Sequence, residues 1–544
     1  MLAKKQRRSI VVKYWLSNLS FHEKLPSIKI RLLIFYSLFF FNSFAQIKYL
    51  DSLFSDDGIS LTNLGNFEGA WSVFSTNENK IIVSGWSKLS TESPEDILLM
   101  RFNNDGSIDS TFKSGNIISV EEFTWESSYA SIEQKDGKIL IAGRFYNGLN
   151  WDFMLARFYA DGRLDSSFAQ NGFAIIDISS DDRAFSIDLQ NDDKIIIAGF
   201  VNINNWDFAV LRFNSNGLLD NTFGNNGIVI NDFDGDIDVA FSIKTQSDSK
   251  IIACGWTFSN ASWNFAMIRY NSDGSLDQNF GNKGIVITDV DNVYNTSHSI
   301  AIQEDGKYVV TGYRYFRERL DTDILLVRYN SDGSIDQSFG VNGFVTKDIN
   351  RNEDFAWDVI IQSDERILVT GYTKSDSSKN VVTLRFNNNG QIDSTFGDSG
   401  VIITSIFGFD EEGRHLALQN DGKILVTGYS FNGVDQDLFI LRINPDGNIL
   451  PVPQVDSTLT NLSQNYPNPF TTKTLIPLNL HETSYVTLKV YNALGEEVSS
   501  LIDEVKVAGN YTVLFEKSNL SSGIYLYQLI TKNYSQAKKM LIIK

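Results

Sequence analysis

One cysteine, four histidines and eight prolines are spread over 544 residues, and each scarcity excludes something. Cys254 alone rules out an intramolecular disulfide; lying in the apolar run IIACG, it reads as a buried, inert small hydrophobe rather than a nucleophile. His22, His298, His415 and His481 are too scattered for a zinc site, and no HExxH, GxSxG or Walker-type loop accompanies them. Between Glu95 and Asn444 there is no proline, which agrees with densely paired strands because proline removes a ladder donor. Positive charge is also short: 47 Lys and Arg face 66 Asp and Glu, a net charge of −19 that repels phosphate backbones and argues against a nucleic-acid partner. Long apolar runs are missing after residue 45, so no membrane span is expected once the leader is removed. Before it, Lys4, Lys5, Arg7, Arg8, Lys13, Lys24, Lys29 and Arg31 precede the apolar stretch Leu32–Phe41, and Ser43-Phe44-Ala45 supplies small residues before Gln46. Residues 1–45 therefore read as a signal peptide with a long basic leader.

What is abundant is repetition. A basic residue, an apolar run and a glycine recur as NKIIVSG, GKILIAG, DKIIIAG, SKIIACG, GKYVVTG, ERILVTG and GKILVTG, with the glycines at Gly85, Gly143, Gly199, Gly255, Gly312, Gly371 and Gly428. A period of 56 to 59 residues means one supersecondary unit stacked on its own copies. In the fifth copy, GIVITDV, SHSIAIQ, GKYVVTGY and DILLVRYN read as four antiparallel strands, with SDGSIDQSFGVNG linking to the next copy. Seven such units predict an all-β, seven-bladed β-propeller of four-stranded antiparallel blades over residues 46–450. The linking phrase is split between YLDSLFSDDG at Tyr49–Gly58 and NPDGNIL at Asn444–Leu450, which is complete only if Phe54 and Ile449 meet and the ring closes.

Within the link, LDxxF places an aspartate at Asp51, Asp109, Asp165, Asp220, Asp277, Asp336 and Asp393. An arginine recurs in step at Arg101, Arg157, Arg212, Arg269, Arg328, Arg385 and Arg442. Seven carboxylate–guanidinium pairs, each holding a link to its blade, are expected. The wording DGKILVTG, LRxNxDGxID and FGxxG resembles the delta-60 repeat, a bacterial family with a β-propeller fold, from about Leu50 to Leu450. Thr111–Asn116 (TFKSGN) and Asn380-Val381 depart from that wording, and the resemblance implies no particular activity.

Six of the eight prolines lie from residue 445 onward; residues 451–461 read as a linker and 462–544 as a small β-sandwich built from SYVTLKVYN, NYTVLFE, GIYLYQLIT and KKMLIIK. Asn465-Tyr466-Pro467-Asn468-Pro469-Phe470, YNALGEEV at 491–498, LSSGIY at 520–525 and KKMLIIK at 538–544 closely resemble the type A C-terminal sorting domain of the type IX secretion system of Bacteroidetes. The resemblance implies export across the outer membrane, the secretion machinery and its sortase-like peptidase as partners, and a protein secreted or attached to the outer-membrane surface.

For chemistry, no catalytic or cofactor-binding residue stands out. Asp232, Asp234, Asp236 and Asp238 put four carboxylates at alternate positions of one loop, the pattern of a calcium site though not of an EF-hand. Trp151, Trp206 and Trp263 precede the last strand of three consecutive copies; Trp86, Trp256, Tyr313, Tyr372 and Tyr429 follow the repeat glycine, as does Phe200. These aromatics are candidates for stacking on sugar rings, with packing between blades as the plainer alternative. His298 and His415 stand where other copies carry aromatics and read as packed residues. The expected role is non-catalytic binding or adhesion, with glycans or surface proteins as partners. The alternatives are a polysaccharide-active enzyme using the central channel and a purely structural surface protein.

Overall fold

The computed structural model describes residues 49–446 and 460–542, apart from 56, 113–116, 119–124, 234–236, 260, 292, 317–318, 320, 350, 376–377, 466–467, 469, 471, 493–494 and 518–519. The leader, Ile449 and part of the linker lie outside these residues.

Seven four-stranded antiparallel sheets carry the repeat. The third blade is typical: Arg183–Leu189, Ile195–Asn202, Trp206–Phe213 and Ile228–Asn231 pair in that order. Its second strand is apolar on both faces because both are covered, and Ile195, Ile196, Ile197 and Ala198 are fully buried. Ile195 and Ile197 pack with the preceding blade's Leu140 and Ala142, while Ile196 and Ala198 pack with the following blade's Ile251 and Ala253. Each fully buried Ile contributes about 1.5–3 kcal/mol relative to exposure, so stacking blades is the main source of stability.

The phase of the repeat differs from the sequence reading. GIVITDV does not open the fifth copy: Ile285–Thr288 pairs with Ser262–Tyr270 as the outermost strand of the fourth blade. The reason is the link. In the third blade Asp220 N donates to Arg212 O, Phe223 N to Asp220 O and Gly227 N to Phe223 O, folding the phrase into a compact turn on its own blade. Gly227 takes a φ of 95° there, a conformation that favours glycine. The crossing to the next blade is made after the fourth strand instead.

That phase closes the ring. Ile59–Thr62 pairs antiparallel with Gln436–Ile443, so the first strand among the described residues is the outermost strand of the seventh blade. Asp51 N donates to Arg442 O at 2.7 Å, and the Asp51 carboxylate meets Arg442 at 2.8 Å.

All seven expected arginine–aspartate pairs form, at 2.8–3.0 Å. Each guanidinium also lies over a phenylalanine of its link, as Arg212 does over Phe223 at 4.5 Å. It reaches a carbonyl of the next blade as well, as Arg101 does to Ala160 O at 2.6 Å. The basic residue that opens every repeat marker joins the same aspartate at 2.9–3.5 Å. Burial pushes the Asp220 carboxyl up, but hydrogen bonds from Thr222 together with Arg212 and Lys194 hold it down at about 2.

The C-terminal strands form two sheets. One orders Asn461–Leu462, Lys473–Leu480 and Gly509–Glu516; the other orders Glu497–Lys506, Ser484–Asn492, Gly523–Ile530 and Ser535–Ile542. Alternation along Lys473–Leu480 and Ser484–Asn492 buries Ile476, Leu478, Val486, Leu488 and Val490 in one shared core with Tyr527 and Met540. This is the expected sandwich. Among the described residues no helix is long and apolar enough to cross a membrane.

Candidate ligand-binding surfaces

The repeat glycine explains the centre of the ring. A Cβ on Gly199 would sit 1.7 Å from Arg183 O, and one on Gly255 would sit 1.8 Å from Val239 O. The innermost strand crowds this point because it carries a β-bulge: the register of each blade skips one residue, as between Ala184 and Ser186. The skipped residues are Trp71, Tyr129, Phe185, Phe241, His298, Trp357 and Arg414, and the bulge re-aims each of them.

All seven line a central cavity of about 770 Å³, where they touch in sequence order as a closed circle. Ring centroids are 5.4 Å apart for Trp71–Tyr129, 5.1 Å for Tyr129–Phe185, 4.8 Å for Phe185–Phe241, 5.1 Å for Phe241–His298 and 4.6 Å for His298–Trp357. Arg414 completes it, 3.9 Å from the Trp357 ring and 4.3 Å from Trp71. His298 is packed as expected; burial pushes its imidazole down to about 3, and its Nδ1 lies 3.1 Å from Ala356 O. His415 is a correction. Its neighbour Arg414 occupies the aromatic position, and the His415 side chain, 38% exposed, faces the cavity one residue later.

Below this circle runs a belt of cross-blade hydrogen bonds. Ser131 N donates to Ser72 Oγ, Ile243 N to Ser186 Oγ, Ile300 N to Ser242 Oγ, Leu416 N to Asp358 Oδ2 and Val73 N to His415 Nδ1. Asp358 also accepts from Ser299 Oγ, and Asp188 accepts from Thr245 N and Oγ1. The carboxylates lining the cavity, Asp188 and Asp358, are thus engaged in joining blades.

On the face where the innermost strands begin, a recess of about 290 Å³ opens over the fourth, fifth and sixth blades. Trp263, Tyr294, Tyr313, Tyr315, Phe355 and Tyr372 line it, with Glu353, Thr296 and Thr322 as polar groups. Tyr294 and Tyr315 stack at 18°, Phe355 and Tyr372 at 8°. Of the eight aromatic candidates from the sequence, Trp263, Tyr313 and Tyr372 therefore share one recess, and Trp256 backs Trp263 at 4.5 Å. The others stand apart: Trp151 packs on Tyr146 at 5.2 Å beneath Arg144, Trp206 stacks on Phe200 at 4.7 Å, Lys88 covers Trp86, and Tyr429 receives a hydrogen bond from Arg414. The sequence reading missed Tyr294, Tyr315 and Phe355, which alternate on facing strands, and missed the bulge residues. The signal for the bulge residues was the aromatic inside GAWS, SYAS, AFSI, AFSI and AWDV, the same point in five copies.

Of the four loop aspartates, Asp234 and Asp236 lie outside the described residues. Asp232 and Asp238 come together with Asp207, which spacing along the loop could not reveal, their carboxylate oxygens within 4.8 Å of one another. One blade earlier Asp152, Asp177 and Asp182 repeat the arrangement. Burial, and then Asp232, pushes Asp207 up to about 6; burial pushes Asp238 up to about 7.

Residues 464–544 match the secretion system C-terminal sorting domain. Seven segments, 78–112, 134–168, 190–223, 246–280, 303–339, 362–396 and 419–449, match the DUF5122 β-propeller, a domain of unknown function. No curated protein matches the chain. Among solved structures, PorZ, a surface component of the type IX secretion system of Porphyromonas gingivalis, is 11% identical at a TM-score of 0.37, over 87% of this chain and 59% of PorZ, so the chain spans about three fifths of its length. A PL25 ulvan lyase is 12% identical at a TM-score of 0.41, over 71% of this chain and 97% of the lyase. The propeller domain of the trilobed protease of Pyrococcus furiosus is 10% identical at a TM-score of 0.36, over 72% and 98%. A sorting domain of this kind sends its carrier by type IX secretion to the cell surface or beyond. The chain is thus a DUF5122 β-propeller of seven repeats that carries a C-terminal type IX secretion sorting domain.

Proposed function

We propose that this propeller is a non-catalytic binding protein of the cell surface or medium, taking a saccharide on the aromatic recess. The observation that carries the reading is the grouping of Trp263, Tyr294, Tyr313, Tyr315, Phe355 and Tyr372 around one opening beside Glu353. Apolar ring faces receive the C–H faces of a sugar, while a carboxylate and hydroxyls accept and donate to its hydroxyl groups. The engagement of Asp188 and Asp358 in the blade joints favours binding over hydrolysis at the channel. In this reading residues 1–45 and, after sorting, 462–544 are removed, with 451–461 as the linker between propeller and sorting domain.

The test is a glycan array probed with the full chain, followed by titration of the best saccharide into Trp263→Ala and Tyr313→Ala. Each variant should weaken binding by about tenfold, since aromatic contacts are worth about 0.5–1.5 kcal/mol beyond the area they bury. Binding that survives in both variants would remove the recess from the account, and no binding to any saccharide would leave the surface protein a structural one.

A further inference from the structure

Asp207, Asp232 and Asp238 reach one point from three pieces of chain. Asp207 is the second residue of Trp206–Phe213, Asp232 follows Ile228–Asn231, and Asp238 opens Asp238–Thr245 of the next blade. Asp207 is 6% exposed and Asp238 fully buried, and the Oδ1 atom of each meets no donor at hydrogen-bonding geometry, with the Thr257 hydroxyl standing beside Asp238. Oδ2 of Asp238 is fixed by Phe233 N at 2.7 Å. Among the described residues neither Asp207 nor Asp238 has a lysine or arginine partner. Buried carboxylate oxygens left in this way are costly unless something positive joins them.

We infer that Asp207, Asp232 and Asp238 hold a divalent cation, calcium by preference, across the joint between the third and fourth blades. An all-oxygen donor set without nitrogen or sulfur suits a hard cation. Calcium–oxygen contacts of about 2.3–2.6 Å allow donor oxygens to stand about 4.6–5.2 Å apart across the ion. The observed spacing, within 4.8 Å, fits that span.

Neighbouring joints show how amide and hydroxyl donors serve the same position. In the next blade Asn264 and Asn295 replace the two buried aspartates, and their amides donate to carbonyls of Ser259, Ser262, Val290 and Val293. In the preceding one, Asn147 donates to both oxygens of Asp152, Asn150 to Asp177, and the Ser179 hydroxyl and N–H to Asp182. At the Asp207 cluster Phe233 N serves Oδ2 of Asp238, while the Oδ1 atoms of Asp207 and Asp238 keep no donor at hydrogen-bonding geometry. An ion there ties the third strand and crossing segment of one blade to the innermost strand of the next.

Calcium chloride titrated into the EDTA-treated full chain, followed by calorimetry, should show one tight ion with a Kd on the order of 10⁻⁴ M or below, together with a rise in Tm. Asp207→Asn and Asp238→Asn should each weaken it at least about tenfold, and Asp152→Asn should leave it unchanged. These asparagines reproduce what the adjacent blade carries, and circular dichroism checks that they fold. A calcium-soaked crystal supplies a readout independent of the variants, an anomalous peak among the three carboxylates. Absence of both heat and Tm shift, unchanged affinity in the folded variants, or a peak elsewhere would overturn the site.

Discussion

Asp220 and Asp161 each face an arginine, yet only one pair matters to stability. Arg212 and Asp220 are almost fully buried, whereas the Arg163 and Asp161 side chains are 62% and 34% exposed. Asp220→Asn leaves a buried guanidinium without its carboxylate and should cost about 3–5 kcal/mol in urea unfolding; Asp161→Asn should cost no more than about 1 kcal/mol. Glu68 behaves in the opposite sense. It lies at the ring seam, fully buried, and burial followed by the charges of Asp437 and Asp435 raises its carboxyl to about 9. A carboxyl raised on folding contributes stability below its unfolded pKa, and that contribution is lost as pH rises toward the folded value. Thermal melts from pH 5 to pH 9 should therefore show the native chain losing stability relative to Glu68→Gln, with the variant the more stable at pH 9. Parallel curves would contradict the protonated carboxyl.

At the scale of strands, the repeat marker and the bulge are one device. The glycine is required because the carbonyl of the bulged innermost strand stands where its side chain would be, as Val239 O does over Gly255. Gly255→Ala should cost about 3 kcal/mol through overpacking, and should disturb the channel circle at Phe241, readable in near-ultraviolet circular dichroism. The glycine was plain in the sequence because it recurs at one period; its partner was harder to see, because Trp71, Tyr129, Phe185, Phe241 and Trp357 are aromatic while His298 and Arg414 break the pattern. The arginine–aspartate pairs were legible from spacing alone, since both residues recur in every copy. The phase of the strands was not: a run of four apolar residues after a turn reads alike whether it opens a blade or closes one. The cation cluster was half legible, because Asp232 and Asp238 lie near each other in sequence while Asp207 arrives through strand pairing.

At the scale of the molecule, seven stacked sheets leave no large edge only if the last blade borrows its fourth strand from the first residues. Deleting residues 49–66 removes that strand and Asp51, exposing the edge of Gln436–Ile443; the shortened chain should melt earlier, with a broader transition, and aggregate. The closed ring is the claim on which the channel, the recess and the blade-joint site all depend. It is tested most directly by Ser60→Cys with Ile440→Cys, paired residues of the seam whose Cα separation in an antiparallel ladder lies within disulfide reach. Oxidation should link them almost completely, shown by mass spectrometry of the tryptic digest, and should raise Tm relative to the reduced form. Two thiols that remain free to alkylation in a folded, oxidised chain would contradict it.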